Sequence, residues 1–290
     1  MSQLAEIIRR LSQPLTPEPT EIEPRLPRLD GIRVIVFDVY GTLLISGSGD
    51  ISLTSGASRG DAAIATWQSV LGEPPASASG DNLVDRLHTV IRANHAASPH
   101  EFPEVEIRRI WQEVASELGA VLDESQAARL SVEYECRVNP VWPMPGMAPT
   151  LAAIREAGLA LGIVSNAQFF TPLAMEQLSG ETMRSLGFDP TLCIWSYEQE
   201  QAKPGRFLYD QSAEALAERG FAPREVLYIG NDLLNDVWPA STVGFRTALF
   251  AGDARSLRLR EDDPRVAGVE PDAVITELRE VLEVLSLAGG

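Results

Sequence analysis

The apolar run IRVIVF at residues 32–37 has no counterpart until LALGIVS at 159–165. A strand that is apolar at every position must be covered on both faces, as in a parallel sheet, and parallel strands are joined by crossovers of a dozen residues or more. Residues 38–158 far exceed one crossover, so they must hold a module of their own. Comparable runs then recur at LCIWS (192–196), EVLYIG (225–230) and RTALF (246–250), with helix-like spacing between most of them. The fold class this predicts is α/β, a doubly wound, Rossmann-like parallel sheet with an inserted domain.

Four segments of the interval, DAAIATWQSVL, DNLVDRLHTVIRANH, EVEIRRIWQEVASEL and ESQAARLSVEYEC, place apolar residues at helical spacing. The insertion is therefore expected to be a helical cap over 46–142, with the core formed by 29–45 and 143–290. A Gly/Ser-rich stretch leads in and NPVWPMPG leads out. No internal repeat is found. At the start of the chain, Leu4, Ile7, Ile8 and Leu11 share one face of a short helix, and a proline-rich stretch carries residues 1–28 to the first strand as an arm. The apolar face is expected to dock on its own core; a homodimer contact is the alternative.

The 41 acidic and 24 basic side chains give a net charge of −17, which argues against nucleic acid and anionic membrane surfaces as partners. A small anionic substrate would need local positive charge to overcome that field. The two cysteines, Cys136 and Cys193, form no metal or disulfide pattern, and no run reaches the length of a membrane span. A cytoplasmic protein is the expectation.

In open α/β sheets ligands bind beyond the carboxyl ends of the strands. The residues there are Asp38-Val39-Tyr40-Gly41-Thr42, Ser165-Asn166, Lys203-Pro204 and Gly230-Asn231-Asp232-Leu233-Leu234-Asn235-Asp236. Singly, each has a structural explanation as a cap, a turn or a surface lysine. In this order, FDVYGTLL, IVSNA, KPGRFLY and YIGNDLLND resemble the four motifs of the haloacid dehalogenase superfamily, over residues 32–285. The resemblance implies an α/β core with a helical cap between the first and second motifs.

A carboxylate at position 38 can attack phosphorus or an activated carbon and form a covalent aspartyl intermediate that water cleaves. Asp38 is thus the expected nucleophile. Thr42 and Ser165 are expected to donate hydrogen bonds and Lys203 to supply positive charge, giving a catalytic set of Asp38, Thr42, Ser165 and Lys203. Gly41 permits a tight turn, and Tyr40, Asn166 and Tyr209 are expected beside it in substrate binding. Clustered carboxylates need a cation, so Mg²⁺ is expected at Asp38, Asp232 and Asp236, with Tyr40 at the same site.

Phosphatases of the superfamily usually carry an aspartate two residues after the nucleophile, as general acid and base. Here that residue is Tyr40, whose ordinary pKa of ~10 suits proton transfer poorly near neutral pH. The DxYGT form and Tyr209 resemble 2-haloacid dehalogenases, which use no metal, whereas the two aspartates of GNDLLND do not. Those enzymes also use a cap arginine, for which Arg59 is the candidate here. The leading expectation is a Mg²⁺-dependent phosphomonoester hydrolase of a small anionic metabolite. The alternatives are a metal-free dehalogenase and a weakened member that binds or regulates.

Overall fold

The computed structural model describes residues 2–48, 56–75 and 78–287. After an N-terminal helix α1 (Gln3–Leu11), strand β1 (Val34–Phe37) opens the core and β2 (Leu44–Ser46) leads into the insertion. The insertion comprises α2 (Gly56–Leu71), α3 (Gly80–Ala97), α4 (Ile107–Glu117) and α5 (Glu124–Val138). The chain returns through β3 (Val141–Pro143), α6 (Met147–Glu156), β4 (Ala160–Ser165), α7 (Thr171–Ser179), β5 (Phe188–Trp195), α8 (Ser196–Gln199) and α9 (Phe207–Glu218). It ends with β6 (Val226–Gly230), α10 (Trp238–Thr242), β7 (Arg246–Phe250), β8 (Ala273–Ile275) and α11 (Glu280–Val284).

Six strands form a parallel sheet in the order β5-β4-β1-β6-β7-β8. Every residue of β1 is buried: Ile35 and Phe37 enter the apolar layer on one face, Val34 and Val36 that on the other. This two-sided burial is why the strand reads as continuously apolar. The chain runs outward from β1 through β4 to β5, then returns to pair β6 on the opposite side of β1. The carboxyl end of β1 is therefore the switch point where a crevice opens. The short strand β8 was not expected from the sequence.

The four insertion helices enclose a core of their own around Trp67, Leu83, Leu87, Trp111 and Tyr134. Trp111 and Tyr134 meet edge to face at 5.5 Å. Ser79 caps α3, and a capping box of Asp123 and Gln126 starts α5, so local signals set these boundaries. Part of the Gly/Ser-rich lead-in, 49–55, lies outside the described residues, and α2 begins five positions before the expected start at 61. The strands entering and leaving the insertion pair antiparallel, Ile45 opposite Trp142. The expected boundaries at 45/46 and 142/143 thus fall inside a ribbon that fastens both chain ends together.

The arm is docked, as its helical face requires. Ile7 and Ile8 of α1 bury against Val132 of α5 and Phe170 and Ala174 of α7, so one helix touches both insertion and core. Arg10 reaches Glu133 in the insertion at 3.3 Å, while Arg9 donates to Gln177 of the core at 2.8 Å. The extended stretch then crosses the core, where Arg25 exchanges backbone hydrogen bonds with Val274 at the exposed edge of β8. The apolar face that offered a dimer contact is covered by its own chain. Among the described residues no helix is long and apolar enough to cross a membrane.

Candidate active site

Asp38 is the first residue beyond β1, 6% exposed, with its N–H bonded to the carbonyl of Ile229 at 2.9 Å. Lys203 Nζ donates to Asp38 Oδ1 at 2.7 Å and to Asp236 Oδ1 at 2.6 Å, and is itself 7% exposed. Burial opposes the charge of Lys203, but Asp236 and Asp38 outweigh it and raise its pKa. Asp236 is pushed up by burial and by Asp38 and Asp232, against the pull of Lys203. Two carboxylates therefore share one buried ammonium. Gly230 makes room for this, since a Cβ there would collide with the Asp236 carboxylate.

Thr42 and Ser165 are fully buried but serve the frame. Thr42 donates to Asn231 Oδ1 at 3.1 Å, and the Ser165 hydroxyl contacts the Asn166 carbonyl at 3.4 Å; neither lines the cavity above Asp38. Their expected role as donors to a bound anion is corrected accordingly. Gly41, at φ 82°, holds the turn; a side chain there would meet Asn231 and Ser256. Asn166 lines the cavity and grips the Lys203 backbone, accepting from its N–H at 2.8 Å. Tyr209 also departs from expectation: its hydroxyl donates to the Asn235 carbonyl at 2.6 Å and its ring packs on Tyr228. It braces the fourth motif instead of facing a substrate.

The cavity, about 350 Å³, lies between core and insertion. Asp38, Lys203, Asn231, Asp232 and Asp236 line its core side with Arg258 and Arg260; Glu104, Glu135 and Asn139 line it from the insertion. Sequence reasoning missed these last five residues and Tyr228, whose hydroxyl bonds Asp236 Oδ1 at 3.0 Å and the Val164 carbonyl at 2.9 Å. Glu135 and Asn139 stand four residues apart on one helical face, a signal that was legible but had no partner in the local sequence. Burial raises both insertion acids, Glu104 and Glu135, the latter to about 7. Arg59, the expected insertion arginine, is buried and does not line the cavity.

A family profile of haloacid dehalogenase-like hydrolases matches residues 32–244. The chain belongs to that family. Among the similar proteins of this hydrolase family, a glyceraldehyde 3-phosphate phosphatase of Methanopyrus kandleri is 26% identical over 257 residues, 88% of this chain and 97% of the relative. An N-acetylmuramic acid 6-phosphate phosphatase of Pseudomonas aeruginosa is 25% identical over 265 residues, 89% and 96% of the two chains. In fold, the hydrolase resembles a 2-haloacid dehalogenase of Pseudomonas syringae pv. Tomato, with TM-score 0.58 at 20% identity over 88% and 98% of the two chains. It also resembles a phosphatase of Thermococcus onnurineus, with TM-score 0.52 at 21% identity over the same shares.

The hydrolase fits a divalent cation differently from the expectation. Both Asp232 oxygens are engaged: Oδ1 accepts from the N–H groups of Leu234 and Asn235, and Oδ2 pairs with Arg260 Nη2 at 2.7 Å. Asp232 caps a π-helical turn and is matched by a cation, and Asp236 is engaged as fully: its Oδ1 accepts from Lys203 Nζ and the Tyr228 hydroxyl, and its Oδ2 from the Asp232 N–H at 3.0 Å. Tyr40 lines the same cavity with its hydroxyl bonded to Thr171 Oγ1 at 2.8 Å, and burial raises its pKa. Asp38 keeps Oδ2 outside every described hydrogen bond, and Asp236 stands beside it across Lys203. Of these three aspartates only Asp38 leaves an oxygen outside the described hydrogen bonds, a hard donor of the kind that suits Mg²⁺.

Proposed function

We propose that this hydrolase removes the phosphoryl group from a small phosphomonoester through a covalent aspartyl intermediate on Asp38. The observation that carries this reading is the buried Lys203 bridging Asp38 and Asp236 at the core side of the cavity. Asp38 presents a carboxylate oxygen to the phosphorus, and Lys203 neutralises charge on the transferring group. Arg258 lines the same side and adds positive charge there in a chain of net charge −17. The helical insertion acts as a cap that keeps bulk water from the intermediate. Mg²⁺ held by Asp38 would offset the repulsion between an anionic nucleophile and an anionic ester.

The two phosphatases at 25% and 26% identity support this substrate class, since both are named for phosphate esters of small oxygenated metabolites. The second reading, a 2-haloacid dehalogenase, draws on Tyr40 in place of an aspartate and on Lys203 and Arg260 already balancing the aspartates. Against it, the described insertion places no arginine in the cavity to meet the halide or carboxylate of a haloacid. A panel of sugar and triose phosphates and 2-haloacids, assayed with Mg²⁺ and with a chelator, tests the choice. Mg²⁺-stimulated phosphate release supports the phosphatase; halide release unaffected by chelator overturns it.

A further inference from the structure

Phosphoryl transfer from an alkyl ester leaves an alkoxide, which needs a proton as the P–O bond breaks. The residue two positions beyond the nucleophile cannot provide it. Tyr40 has its hydroxyl tied to Thr171 and its pKa raised by burial and by Glu135. The other acids of the cavity are Asp232, Asp236, Glu104 and Glu135. Asp232 is paired with Arg260 and Asp236 with Lys203. Glu104, also raised by burial, accepts from the Ser196 hydroxyl at 2.8 Å, the Val105 N–H at 2.9 Å and Gln168 Nε2 at 3.4 Å, three donors that pull it back toward its ionised form.

Glu135 differs from all four. Its described hydrogen bond comes from Asn139 Nδ2 at 3.0 Å, and no cation pairs with it among the described residues. It lines the same cavity as Asp38 but comes from the insertion. Asn139 ties it to the β2–β3 ribbon, because Asn139 Oδ1 accepts from Oγ of Ser46 in β2 at 2.7 Å. The titratable and charged groups around it are Tyr40 from the turn after β1, Glu133, Tyr134, Cys136 and Arg137 on its own helix, Arg59 of α2 acting on Tyr134, and Arg10 of α1 acting on Cys136.

We propose that Glu135 is the general acid and base of this hydrolase, standing in the cap for the acid that the first motif lacks. The inference rests on the phosphatase reading above. In the first half-reaction, Asp38 forms a bond to phosphorus while the bond to the ester oxygen breaks, and the Glu135 carboxyl gives that oxygen its proton. The alcohol leaves, and Glu135 is ionised. In the second, water attacks phosphorus, its proton passes to Glu135, and the acyl–phosphate bond breaks to return Asp38 and release phosphate. The balance is ester plus water to alcohol plus phosphate. A half-buried acid raised to about 7 holds its proton near neutral pH and can still give it up.

Glu135→Gln keeps the size and the Asn139 contact but removes the proton. With full-length protein, glycerol 3-phosphate or another alkyl phosphate turned over by the wild type should lose ~10²–10⁴-fold in kcat, the range usual for one acid–base group. With p-nitrophenyl phosphate, whose phenolate leaves without a proton, the first half-reaction should fall by less than tenfold, measured as the nitrophenol burst. The alkaline limb of the alkyl phosphate profile should vanish in the variant, and adding Tyr40→Asp should restore turnover. Equal losses on both esters, or none on the alkyl ester, overturn the role of Glu135 while the phosphatase reading stands. Wild-type protein that releases phosphate from neither ester overturns both. A thermal melt of each variant separates loss of chemistry from loss of fold.

Discussion

The two sides of the cavity are built on opposite electrostatic principles. On the core side, Asp38, Asp232 and Asp236 are each matched to a cation, Lys203 or Arg260, within 2.7 Å. On the insertion side, Glu104 and Glu135 face the cavity with neutral hydrogen-bond partners and no described salt bridge. Lys203 pulls Asp236 toward its charged form, although burial and the neighbouring aspartates still raise its pKa; Glu135 has no such cation to pull it down. The core side is thus suited to carry charge through the reaction, and the insertion side to exchange a proton with what leaves.

The largest expected effect breaks the core side outright. Asp38→Asn should lower kcat on the order of 10⁴-fold or more, because an amide does not form the acyl intermediate, while circular dichroism stays unchanged. Next, Lys203→Met leaves Asp38 and Asp236 buried without their shared cation; such a loss typically costs about 3–5 kcal/mol, to be read from urea unfolding. If unfolding is unchanged, the charge matching claimed for this side is wrong.

A smaller effect tests how firmly the two sides are held together. Ile8 is fully buried between α5 and α7, so Ile8→Ala should cost roughly 3 kcal/mol in stability, as other buried isoleucine truncations do. Chemical denaturation of the variant measures it, and a loss under about 0.5 kcal/mol would mean the helix is not docked as described.

The smallest effect concerns the insertion side alone. Glu135 has a folded pKa near 7 against an ordinary 4.5, so the folded state holds its proton over a range where the unfolded chain has lost it. Stability contributed by this group therefore falls as pH rises from about 4.5 to about 7 and is level above that. Glu135→Gln lacks the term. Relative to wild type, its melting temperature should climb across that window, by an amount equivalent to about 1 kcal/mol given water in the cavity. A flat difference would mean that Glu135 is solvated like a surface acid.

Much of the core side was legible because its parts are local. Asp38 follows the most apolar run, the Gly41 turn is a short-range signal, and Gly230 and Asp236 lie six residues apart in one motif. The insertion helices were legible for the same reason, through periodicity and caps. Legibility failed where a side chain's role depends on what it meets. Thr42, Ser165 and Tyr209 have the chemistry of ligands, yet Asn231, Asn166 and Asn235 engage their hydroxyls. Tyr228 reads as one more apolar strand residue, although its hydroxyl touches both Lys203 and Asp236.

The sequence by itself determined the parallel sheet, the helical insertion after its first strand, the place of Asp38 at the switch point and the amphipathic helix of the arm. Each follows from spacing within a few turns or one strand. Only the tertiary structure decided which aspartate is spent on Arg260, which carboxyl of the insertion faces Asp38, and that α1 bridges insertion and core. Those outcomes depend on contacts between residues 28 positions apart in one case and nearly 100 or more in the others. Periodicity and propensity describe a chain's neighbours along its length; the charge a carboxylate keeps is set by its neighbours in space.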